Sequence, residues 1–337
     1  MTDRKNFIFK LGKLPPIIDK RTIKLVDKEH PERSVLRLEL LPPLPETYDI
    51  DESLGGIEDN FVFNNSKYGD CVIAARAHHT LRFEKYEQGV QIPITDEEVV
   101  NQYFKETGSP DRDTGLVLLT SLKRWRNEGW EVGGKTYTIY AFASVDWHDR
   151  IEVKHCIHLL NGINFGMVVY QKDIDQFRAG EGWRLTDSNG SFQGRHGVYG
   201  CQYKDSGTAK LAELLAVQAK ENGGKVKMWI PQQDIIGYTE DGIWIMTWGV
   251  KQFATWEFFE ARCDECYTIV DNKDIWMGDD SPVDVEKLDR YLEEITGQTE
   301  DEPPDNPGCS FPWLRPVKKA GKFMVEEVRK MKAVIPG

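Results

Sequence analysis

The residue whose type and setting could do chemistry is Cys71, which closes the loop Asn65-Ser66-Lys67-Tyr68-Gly69-Asp70. Cys71 opens the alanine-rich run Val72-Ile73-Ala74-Ala75-Arg76-Ala77-His78, so it stands where a loop gives way to a helix. A thiol there faces unpaired backbone N–H groups and the positive end of the helix dipole, which favour the nucleophilic thiolate. Taken alone, Cys71 reads equally well as a buried small hydrophobe, as most free cysteines are.

The elements that must position this residue follow from punctuation and periodicity. A helix is predicted from Cys71 to about Gln88, stopped by Gly89. Thr95-Asp96-Glu97-Glu98 is a capping box that starts a second helix, and a third is predicted from Gly115 to Asn127. Tyr137 to Val145 reads as strand, Arg150 to Asn161 as helix and Ile163 to Tyr170 as an apolar strand. A polar, glycine-rich loop then runs from Gly180 to Arg195 and leads into His196. Beyond it come a helix at Thr208 to Glu221 and strands at Lys225 to Ile230, Asp234 to Tyr238 and Ile243 to Thr247, the last two joined by Glu240-Asp241-Gly242. A short aromatic helix (Thr255 to Arg262) and a strand (Cys266 to Val270) complete the pattern. Helices first and strands later predict an α+β domain.

With these motifs in order, the chain resembles the papain-like cysteine peptidases, which carry a cysteine at the start of a central helix and a histidine at the start of a strand in a half-barrel sheet. More closely, it resembles a group of bacterial and phage proteins with Asn-Asp-x-x-Gly-Asp-Cys, Gly-His-Ala-Val, Thr-Trp-Gly and Cys-Asp-Glu segments. The counterparts here are Asn65 to Cys71, Arg195-His196-Gly197-Val198, Thr247-Trp248-Gly249 and Cys263-Asp264-Glu265, and the likeness spans roughly residues 11 to 276. It implies an α+β, papain-like fold: a central helix starting at the cysteine, packed on an antiparallel half-barrel sheet, with an extended N-terminal arm and a C-terminal helical tail. The domains expected are an arm at 1–55, a papain-like domain at 56–278 with an insertion at about 199–233, and a tail at 279–337.

Carried over residue by residue, the resemblance makes Cys71 the nucleophile, His196 the base and Asn65 an oxyanion-hole donor in place of the family's longer glutamine. For the residue that orients the imidazole, alignment on Trp248 selects Met246, whereas counting from Gly237-Tyr238 selects Thr247, which can accept from a ring N–H. Asp70 is expected to cap the helix N-terminus, and as a charge beside Cys71 it would raise the thiol pKa.

Composition removes other classes of function. With 43 basic against 55 acidic residues the net charge is -12, which repels nucleic acid and anionic membrane. No apolar run is long enough to span a bilayer and no signal core follows Met1, so a cytoplasmic protein with reduced cysteines is expected, association with a virion being the alternative. Cys263-Asp264-Glu265-Cys266 lacks a second pair at zinc spacing, His155 and His158 lack carboxylate partners, and Gly180-Glu181-Gly182 lacks the context of a phosphate loop, so neither metal nor cofactor is expected. His78 and His79 lie too far along the cysteine's helix to reach the thiol and are assigned to packing, as are Trp256, Phe258 and Phe259. Leu14-Pro15-Pro16 and Leu41-Pro42-Pro43-Leu44-Pro45 make residues 1–55 an extended arm or a removable pro-segment, with short strands at Ile23 to Val26 and Val35 to Leu40. An acidic helix (Val283 to Thr296), a Pro-rich linker and a basic helix (Lys318 to Lys332) form the tail, and arm and tail together could grip a protein partner.

Three functions are compatible with this pattern: a cysteine hydrolase, peptidase or amidase, working through an acyl-thioester on a peptide or protein substrate; an inactive papain-like scaffold for binding or assembly; and a transferase or isopeptidase using the same thiol.

Overall fold

The computed structural model describes residues 4–8, 10–108, 112–205 and 240–297. By contacts the chain divides into two units, Met1–Thr22 with Pro43–Asp271 and Ile23–Pro42 with Asn272–Gly337.

The larger unit begins with an extended arm, then β1 (Thr47–Asp49) and the one-turn helix α1 (Ile50–Ser53). The helix α2 (Cys71–Gln88) starts at the cysteine and ends at Gly89, whose φ of 71° needs no Cβ penalty. It is buried from Cys71 to Glu84. Three of the titratable groups it carries inward are paired: Arg76 with Glu106 at 2.7 Å, Arg82 with Asp59 at 2.6 Å and Asp51 at 2.8 Å, and His78 with Asp59 at 2.8 Å. Removing one partner of such a buried pair costs about 3–5 kcal/mol, because the other charge is left uncompensated. α3 (Asp96–Thr107) opens with the expected capping box, and α4 (Leu118–Asn127) follows. The hairpin β2 (Trp130–Val132) and β3 (Lys135–Tyr137) leads to β4 (Ala141–Ser144), α5 (Arg150–Leu159), β5 (Ile163–Tyr170) and α6 (Gln171–Ala179). Then come β6 (Phe192–Lys204), β7 (Gly242–Thr247), β8 (Val250–Thr255), α7 (Trp256–Arg262) and β9 (Cys263–Val270).

The main sheet runs β4-β9-β5-β6-β7-β8, with β1 also paired to β6, and every pairing is antiparallel. α2 lies on it so closely that a Cβ on Gly197 of β6 would be 3.1 Å from Val72 Cγ2 and 3.2 Å from Val72 Cα. Glycine at 197 is thus what lets the cysteine's helix touch the histidine's strand. One hydrophobic cluster joins α2 (Ile73, Ala77, Leu81) to α4 (Leu118, Leu122, Trp125), Trp130 and Ile269.

Several expectations are corrected. Ile23 to Val26 and Val35 to Leu40 are not strands; Leu25 O accepts from both Val35 and Leu36 N–H, and Leu38–Leu40 is a 3₁₀ turn. Tyr137 to Val145 is divided between β3 and β4. The expected helix at Thr208 to Glu221, the strands at Lys225 to Ile230 and Asp234 to Tyr238, the Pro-rich linker and the basic tail helix lie outside the described residues. β7 pairs with β6 and β8.

In the smaller unit, Leu36 bridges Val283, Arg37 meets Asp284 at 3.3 Å, and the acidic helix α8 spans Val285–Gly297. Among the described residues no helix is long and apolar enough to cross a membrane.

Candidate active site

The loop that delivers Cys71 is built from a tight reversal. Phe63 and Asn64 both adopt left-handed backbone (φ 54° and 62°), a conformation that costs a non-glycine residue about 1 kcal/mol and is held by surrounding contacts. Gly69 N–H then donates to Asp113 Oδ1 at 2.8 Å, and Tyr103 Oη anchors the same oxygen at 2.6 Å. Asp70 occupies the N-cap position, but its side chain makes no capping bond, which corrects the expected role. It is buried and its Oδ1 accepts from Asn65 Nδ2 at 3.0 Å. Burial pushes its carboxyl up to about 8, and its charge, once ionised, adds to the rise of the neighbouring Cys71 thiol, as expected. Asn65 Nδ2 also donates to Tyr68 O at 3.1 Å, so both amide hydrogens are used inside the loop.

Cys71 is buried, and its Sγ accepts from Gly197 N–H at 3.3 Å. Burial drives the thiol up to about 11, against the downward pull of the Gly197 and Gly12 backbone N–H groups. In this closed state desolvation outweighs the helix start, and the sulfur keeps its proton.

His196 precedes Gly197 in β6, and its Nε2 lies 2.7 Å from Thr247 Oγ1. Met246, the other residue considered for this position, is Thr247's neighbour in β7, and strand alternation sends it to the opposite face. β7 and β8 are joined by Trp248 (φ 48°) and Gly249 (φ 74°), both left-handed, as a two-residue hairpin turn of the primed type requires. The turn folds the indole of Trp248 onto the imidazole, with ring centroids 4.4 Å apart and planes within 17°. His196 Nδ1 is buried without a hydrogen-bond partner, the Cys71 sulfur included. Burial lowers the ring's pKa to about 3; thiol and imidazole are both neutral at rest.

The arm runs over this centre. Lys13 N–H donates to Arg195 O at 3.3 Å, Leu116 N–H to Gly12 O at 2.8 Å and Leu14 N–H to Leu116 O at 2.8 Å. A Cβ on Gly12 would lie 1.7 Å from Gly69 O, so only glycine can thread this point. Further out, Arg4 covers the Phe177 ring at 4.9 Å, and Phe7 lies 6.3 Å from the Trp248 ring. Sequence reading placed the arm on the domain without tracing it to the thiol. The available signal was Gly12, a lone glycine ahead of Lys13-Leu14-Pro15-Pro16.

The remaining candidates stay apart from this centre. His79 lies on the Phe83 ring at 4.1 Å, and Asn164 Nδ2 is 2.7 Å from its Nδ1. His158 meets Tyr48 at 4.6 Å. Cys263 and Cys266 are free and buried. Among the described residues the group with ligand atoms close enough to hold a metal is Glu84, Glu87 and Asp271, the first two on the far end of the helix that Cys71 starts.

No protein-family model and no curated protein matches the chain. Solved structures do. Xylellain, a cysteine protease from Xylella fastidiosa, superposes with a TM-score of 0.51 at 15% identity, over 78% of this chain and 97% of that one. The Amb a 11 cysteine protease of ragweed pollen, in its proform, gives 0.46 at 12% identity over 69% and 68% of the two chains. The Carica candamarcensis cysteine protease CMS1MS2 gives 0.45 at 12% over 68% and 100%. The fold is that of the papain-like cysteine proteases, as the order of motifs implied.

Proposed function

We propose that this chain is a papain-like cysteine hydrolase, a peptidase or amidase, that acts through an acyl-thioester once the arm has left the cleft. The observation that carries the reading is the Gly197 N–H on the Cys71 sulfur, which sets the residue next to His196 against the nucleophile. Cys71 Sγ attacks the substrate carbonyl carbon and its proton passes to His196 Nδ1. The C–N bond breaks as that proton moves to the leaving amine, and water then hydrolyses the thioester. Thr247 holds the ring through Nε2, Trp248 screens that bond from water, and Asn65 serves as oxyanion donor after releasing Asp70 or Tyr68 O. The substrate is a peptide or protein, and a further protein contact through arm and tail belongs to the same proposal.

The commitment of both Asn65 amide hydrogens to the loop favours a second reading, an inactive scaffold for binding or assembly. Alkylation separates the two. With the arm displaced by Gly12→Val, iodoacetamide is expected to modify Cys71 much faster than Cys156 or Cys201, and His196→Ala to abolish the difference. Equal rates, or indifference to His196, would leave the scaffold.

A further inference from the structure

Beside the thiol, the arm inserts a charged side chain into the protein. The Lys13 side chain is fully buried, its Nζ 2.9 Å from Asp264 Oδ1 and 2.7 Å from Glu265 Oε1. Each carboxylate is fixed by its other oxygen: Asp264 Oδ2 by Arg195 Nε at 2.9 Å, Glu265 Oε2 by Tyr267 Oη at 3.1 Å. The lysine stem fills the space that Gly166 leaves, since a Cβ there would sit 1.8 Å from Lys13 Cε. Sheet register ties this pocket to the reacting atoms. Gly166 pairs with Gly197 on one side and Glu265 on the other, so Gly197, Gly166 and Glu265 form one row across β6, β5 and β9. At about 5 Å per strand, the Glu265 backbone lies roughly 10 Å along the sheet from that of Gly197, the glycine that touches the sulfur.

We propose that Asp264 and Glu265, over the floor made by Gly166, form a recognition pocket for a basic side chain of the substrate, and that Lys13 occupies it as a built-in surrogate. This deepens the hydrolase reading and rests on it for turnover, though not for binding. The arm is held as a bound peptide would be, extended, with main-chain bonds to Leu116 on one side and Arg195 on the other. When it withdraws, two buried carboxylates face Arg195 as their remaining cation. An apolar side chain entering the pocket leaves a charge uncompensated, whereas lysine or arginine restores the balance.

The test is a protection experiment on the full chain carrying Lys13→Ala, with two short peptides, Leu-Gly-Lys-Leu and Leu-Gly-Leu-Leu. The lysine peptide is expected to slow iodoacetamide modification of Cys71 at about tenfold lower concentration than the leucine peptide. Glu265→Gln, and more fully Glu265→Gln with Asp264→Asn, should erase that preference. If the double variant does not fold, Glu265→Gln alone decides. Equal protection by both peptides, protection by neither, or a lysine preference that survives Glu265→Gln overturns the pocket. Hydrolysis is scored separately: a lysine preference without turnover of either peptide upholds the pocket and removes the hydrolase.

Discussion

On the histidine side of the cleft, Thr247 Oγ1 holds Nε2 and Trp248 lies flat on the ring, while Nδ1 is left without a partner. On the cysteine side nothing is yet available for reaction. The thiol is protonated, Asn65 has turned both amide hydrogens inward, and Gly12 crosses the sulfur. One bank holds its ring firmly around an unpartnered nitrogen, and the other is closed over. On the proposed hydrolase reading, exposure of Cys71 is the step that limits reaction.

Four perturbations bear on that contrast. Trp248→Ala should loosen the histidine bank most: loss of a buried tryptophan costs about 3–5 kcal/mol in chemical denaturation. The better-hydrated ring should titrate well above its present value of about 3, toward the usual histidine range, read by NMR. Asp70→Asn should act on the cysteine bank through pH. The folded-state pKa is raised from 3.8 to about 8, so the wild-type residue is favoured only while protonated, and its penalty grows as pH rises from about 4 to 8. The variant should gain on the order of 3 kcal/mol at pH 8 and almost nothing at pH 4, measured by urea melts. Gly12→Val, whose Cβ would meet Gly69 O, should unseat the arm and raise Cys71 alkylation by about 100-fold, with a lowered melting temperature because Lys13 leaves Asp264 and Glu265. Thr247→Val should lower kcat about tenfold with KM nearly unchanged, and Thr247→Ser should restore it, because only the hydroxyl on Nε2 matters. A Thr247→Val enzyme as active as wild type would remove Thr247 from the machinery.

The parts legible in the sequence are those whose signals are local. Cys71 after Gly69-Asp70 and before an alanine-rich run marks a loop-to-helix junction, and Thr95 with Glu98 marks a capped start. Thr247 and Met246 could not be separated by spacing alone. Strand alternation and the left-handed turn at Trp248-Gly249 decide between them. Asp70 was misread because its burial is a tertiary fact: a carboxylate at a helix start caps when solvated, but here it is enclosed and bonded to Asn65. The α6 helix escaped notice because it carries only Ile174 and Phe177 as buried apolar residues in a polar stretch that runs on from β5 without a break. The pocket around Lys13 was invisible for a simpler reason. Its components, Lys13, Gly166, Asp264 and Glu265, share no segment of sequence.

That dispersal bears on the order in which the molecule comes together. Lys13 is made long before Glu265, about 250 residues later, and its ammonium has no counter-charge until β9 has joined the sheet. Closing so long a loop is disfavoured until its two ends are already held close by other structure. The arm can take its final seat only on a sheet already paired, because Arg195, Asp264 and Glu265, which hold Lys13, come from β6 and β9 on either side of β5.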